Sequence, residues 1–80
     1  MKADFEIGGV PVVMTEKQAA RWNEGNVSDS DLDRVKVFIP EPVNDYRLIT
    51  LRRATNEKLE PEISEMMHGC EARQTGEWRE

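Results

Sequence analysis

The chain is poor in cysteine, aromatic residues and long apolar runs, and each shortage excludes something. A single cysteine, Cys70, in 80 residues cannot close an internal disulfide. A stapled secreted scaffold is therefore excluded, and a reducing, cytoplasmic setting is expected. No apolar run approaches the length that spans a bilayer, and Met1-Lys2-Ala3-Asp4 does not open a signal peptide. Bases are outnumbered by 11 to 16, for a net charge of −5, which opposes bulk attraction to nucleic acid or an anionic membrane. Val, Ile, Leu and Phe together supply only 17 residues, so one small core is all the chain can build. A second copy or another protein is then a natural source of further burial.

What is present is concentrated between Arg34 and Arg53 (RVKVFIPEPVNDYRLITLRR). Two runs of β-forming residues, 34–39 and 46–51, flank a Pro/Asn/Asp cluster and predict a hairpin with a longer loop. Val35, Val37 and Ile39 alternate with Arg34, Lys36 and Phe38, so the first run has an aliphatic face and a mixed one. Upstream, Ala3, Phe5 and Ile7 alternate, Gly8-Gly9 follows, and Val10, Val12 and Met14 resume the alternation. Two glycines between alternating runs predict a tight hairpin of strands 3–7 and 10–14, and Pro11, which lacks an N–H, is expected to place its strand at a sheet edge or to point outward.

Thr15-Glu16-Lys17-Gln18 is a capping box, and Gly25 is a left-handed stop, so a helix is expected over 16–24 with Trp22 as its main apolar residue. The segment 26–33 is polar and reads as a connection. Leu59, Ile63, Met66, Met67 and Cys70 recur at helical spacing behind Pro61, which predicts a helix over 61–69. Residues 71–80, polar except for Ala72 and Trp78, read as a frayed tail on a single domain of residues 1–70. The expected fold class is α+β: a small antiparallel sheet of three or four strands in β-β-α-β-β-α order, covered by two short helices.

No catalytic or cofactor motif emerges. Asp29, Asp31 and Asp33 have the spacing that opens a calcium loop, but Arg34 and Pro40 stand where the glycine and the bidentate glutamate are required. They read as a solvated acidic turn. His68 and Cys70 are the only His and Cys, too few for a zinc site, and no third group orients them as a nucleophile and base. The expectation is a non-enzymatic chain without metal or cofactor.

The mixed face of the central hairpin is the candidate site. Phe38, Tyr46 and Leu48 would form its apolar centre, with Arg34, Lys36 and Arg52 at the rim, a composition suited to a protein partner. The expected role is a small inhibitor, adaptor or accessory protein, acting on another protein or as a homodimer. In size and acidity the chain resembles small phage-encoded inhibitors such as anti-CRISPR or host-takeover proteins, a resemblance that carries no motif. The alternative is a nucleic-acid-binding regulator using Arg34, Lys36, Arg47, Arg52 and Arg53 beside the aromatic residues.

Overall fold

The computed structural model describes residues 2–79, and the side chains of residues 3–76. Its elements are β1 (Lys2–Ile7), β2 (Val10–Val13), α1 (Glu16–Glu24), α2 (Asp29–Arg34), β3 (Lys36–Glu41), β4 (Asp45–Thr50), α3 (Leu51–Ala54), α4 (Pro61–Met67) and β5 (Ala72–Arg79). The five strands form one antiparallel sheet in the order β4-β3-β2-β1-β5. The fold is α+β, with four helices among the described residues where two were expected, and five strands where three or four were.

Local chemistry explains the first half. Gly8 and Gly9 both have positive φ, which lets β2 fold straight back on β1 with Ile7 opposite Val10 and Phe5 opposite Val12. At Gly8 the small side chain is required twice over, since a Cβ there would collide with the Met66 carbonyl oxygen. Thr15 accepts from the Gln18 amide at 3.1 Å while the Gln18 side chain accepts from the Thr15 amide at 2.8 Å, completing the capping box that starts α1. Gly25, at φ 74°, ends the helix.

The segment 26–33 departs from the sequence reading. Ser28 caps a helix there by accepting the Asp31 amide, and that helix runs through Arg34. The central hairpin consequently starts two residues later than the alternation predicts, at Lys36, and its second strand stops at Thr50. Thr50 then caps α3 through the Arg53 amide, so Leu51 and Arg52 are helical rather than extended.

Residues 72–79 are the other correction. They are not a frayed tail but β5, paired with β1 from Ile7↔Ala72 to Lys2↔Arg79. The C-terminal end of α1 holds its start. Asn23 donates to the Ala72 carbonyl at 3.2 Å and accepts the Ala72 amide at 2.7 Å, while the Trp22 indole N–H donates to the Cys70 carbonyl at 2.9 Å. The side chain of Trp78 lies outside the described residues.

One side of the sheet makes the main core. Phe5, Ile7, Val10, Val12, Val37, Ile39 and Ile49 pack there with Met14, Ala19, Leu51, Ala54 and Met67, so the helical segments cover this side. The apolar stripe expected on α4 is only partly buried. Met67 is enclosed and Ile63 half-buried, but Met66 is exposed and Leu59 lies outside the helix, also exposed. Ser64 takes a buried position instead and donates to the Thr55 carbonyl at 3.2 Å.

Candidate protein-contact face

The second side of the sheet can be read off the register. Leu48 pairs with Phe38, and one step on from Val12↔Val37 the ladder sets Pro11 opposite Phe38. Glu6 pairs with Pro11 and Arg73 with Glu6, so a row runs Leu48, Phe38, Pro11, Glu6, Arg73 across the sheet. The neighbouring row holds Thr50, Lys36 and Val13. An apolar half formed by β4, β3 and β2 thus adjoins a charged half on β1 and β5.

The predicted site residues separate on this surface. Leu48 is 44% exposed and Lys36 is exposed, while Tyr46 is half-buried. Phe38, expected at the accessible centre, is only 1% exposed although it lies outside the main core cluster. Phe38 is a packed platform, and the accessible apolar atoms belong to its neighbours. Val13, 39% exposed beside Lys36, belongs to the surface and was missed by sequence reasoning. Its signal was available: Val10, Val12 and Met14 claim the inner side of β2, which leaves Val13 on the outer one.

The two rim arginines sit elsewhere. Arg34 is the last residue of α2, and Arg52 is on α3, donating to Asp33 at 2.8 Å. That contact lowers the Asp33 carboxyl and raises the Arg52 guanidinium from their ordinary values. Arg47 donates to Glu41 at 2.7 Å and to Glu60 at 2.8 Å, and Arg53 reaches Glu60 at 3.1 Å. Hydrogen bonding from Arg47, with the added field of Arg53, holds the Glu60 carboxyl below the usual glutamate range. Three of the five bases considered for nucleic acid are therefore engaged with carboxylates of the chain itself.

Asp31 also differs from expectation. It is buried, not solvated, and gathers Arg21 (2.8 Å from each carboxylate oxygen), Ser28 (3.0 Å) and Gln18 (3.2 Å). Paired first by Arg21 and then by Ser28 and Gln18, its carboxyl lies far below the ordinary aspartate range. This cluster clamps α2 to α1.

His68 and Cys70 are led apart by the end of α4. Cys70 lines an open cleft of about 490 Å³ with Trp22, Gly25 and Val27, and its thiol donates to the Met66 carbonyl at 3.2 Å. His68 lines a different one, of about 430 Å³, with Glu57, Pro61 and Glu65. Among the described residues no group of three or more His, Cys, Asp or Glu is placed to hold a metal ion, and no helix is long and apolar enough to cross a membrane. No known protein family, curated protein or solved structure matches the chain.

Proposed function

We propose that the chain is a non-enzymatic protein-binding module, an inhibitor, adaptor or accessory protein that occupies the surface of a larger macromolecular complex with the outer side of its sheet. The observation that carries this reading is the asymmetry of the sheet. The helices contribute to the core on one side, while Leu48 and Val13 stay exposed around the packed Phe38 on the other. An apolar patch bordered by Lys36, Glu6 and Arg73 has the make-up of an interface centre with a polar rim. Net acidity favours a partner with a basic surface, and the role extends to that of an anti-defence or host-takeover protein. The ion pairs of Arg47, Arg52 and Arg53 weigh against the nucleic-acid alternative.

Affinity capture from native extract, with and without nuclease, tests the reading. A protein retained after nuclease should be lost with the Leu48→Glu/Val13→Glu double variant, and its binding should slow hydrogen exchange within residues 34–53. Protection confined to α4 or β5 would overturn the assignment. Capture that disappears with nuclease, together with single-strand affinity that falls steeply with salt, would establish the alternative.

A further inference from the structure

The open cleft at the C-terminal end of α1 combines an aromatic wall with charge of a single sign. It holds about 490 Å³ and is bounded by residues 22–25 and 69–71 together with Val27. Gly25 and Gly69 border it, and a Cβ on either would meet nothing within 4 Å, so its mouth is not crowded. Its donors are already committed. The Trp22 indole N–H goes to the Cys70 carbonyl at 2.9 Å, the Cys70 thiol to the Met66 carbonyl at 3.2 Å, and the Asn23 side-chain amide to the Ala72 carbonyl at 3.2 Å. The Gly25 and Cys70 amides are bonded to the Trp22 and Met67 carbonyls at 3.0 and 3.1 Å. What Trp22 can still offer a ligand is therefore its π-surface.

The charged acceptors are not committed. Glu24 and Glu71 line the cleft and are exposed, and among the described residues neither enters an ion pair. The bases near them in sequence lie elsewhere. Arg21 is bound to Asp31 at 2.8 Å, and Arg73 stands in the outer row of the sheet opposite Glu6. The last turn of α1 adds the partial negative charge of a helix C-terminus. Indole and carboxylates without a lining cation disfavour an anion and attract a cation. Guanidinium suits this pair of features better than ammonium. It is planar and weakly hydrated, stacks on an indole and forks onto a carboxylate, whereas ammonium is a strongly hydrated point charge.

We propose that this cleft receives the guanidinium of an arginine side chain on a partner polypeptide, stacked on Trp22 and paired with Glu24 and Glu71. A side chain is favoured over free arginine because the acidic rim repels the α-carboxylate that the free amino acid carries. No residue of the outer sheet face borders the cleft. The test uses the purified chain and a small probe, so this proposal and the partner assignment above stand or fall separately.

Heteronuclear NMR of the pure chain, titrated at constant ionic strength with N-acetyl-arginine amide to about 50 mM, should show saturable shifts of the Trp22 indole and of the Gly25, Gly69 and Cys70 amides. The citrulline analogue, alike in shape but uncharged, should produce none. The lysine analogue and free arginine should each bind at least about threefold more weakly. Glu24→Gln/Glu71→Gln, at exposed positions, should weaken the arginine probe at least about fivefold. Glu57→Gln/Glu65→Gln, which removes the same charge from the cleft beside His68, should leave its affinity unchanged. An absence of saturation, an equal response to the citrulline analogue, tighter binding of free arginine, or equal loss in the two double variants would each overturn the proposal.

Discussion

The two sides of the sheet bury large side chains by different means. On the inner side Met67 disappears under material brought from distant parts of the chain: Met14, Ala19, Leu51 and Ala54 share its cluster. On the outer side Phe38 is equally buried, yet its closest sheet neighbours, Leu48 and Pro11, come from the adjoining strands. Burial alone therefore does not distinguish a core from a platform. What distinguishes the two sides is the exposure of nearby apolar residues, since Leu48 and Val13 stay exposed on the outer one.

The sharpest way to break the comparison is to place a charge under the helices. Met67→Asp should cost at least about 4 kcal/mol, because an unpaired carboxylate would be enclosed, and chemical denaturation should find the variant largely unfolded. Phe38→Ala should cost about 3 kcal/mol, close to a core truncation, despite its place outside the main core cluster. A loss below about 1 kcal/mol would mean that the platform is not packed and that the two sides differ in kind.

The helical cover can be loosened without touching the sheet. The Asp31 carboxyl titrates lower in the folded chain than in the unfolded one. Its stabilisation is thus fully present above the ordinary aspartate range, near pH 4, and is lost as pH falls toward the folded value. Asp31→Asn should lower the melting temperature at pH 7 and flatten the acid limb of a stability–pH curve, whereas Leu48→Asn should leave that limb intact. Thr15→Ala, which removes one acceptor from the start of α1, should cost about 1 kcal/mol in a urea titration. Met66→Asp, one residue from Met67 but on the exposed side of α4, should change stability by no more than about 0.5 kcal/mol.

Elements decided by adjacent residues were legible in the sequence. The Gly8-Gly9 turn, the Thr15–Gln18 capping box, the Gly25 stop and the inner side of the central hairpin all follow from local stereochemistry. Elements decided by distant partners were not. The segment 29–34 is helical because Ser28 caps it and because Asp31 finds Arg21 and Gln18 across a loop. β5 is extended because β1 and the Asn23 side chain accept it, although its own composition is that of a solvated tail. The candidate surface was legible in part. Alternation named Leu48 and Lys36 correctly as outward residues, but it began the first strand at Arg34 and counted Arg52, just past the second, on the same face, and caps turned both into helix. It also could not foresee that Phe38 would be enclosed.

The pairing of β1 with β5 has a consequence for how the chain acquires its fold. β1 can find β2 at once through a two-residue turn, but its other edge stays open until residues from the opposite end of the sequence arrive. Closing so long a loop costs more chain entropy than closing the two-residue turn. During that interval an alternating Ala3, Phe5, Ile7 strand presents unpaired amides and carbonyls, the state in which nascent chains stick to one another. In the folded chain the polar β5 takes the outer position at that end of the sheet and covers the edge of its apolar neighbour.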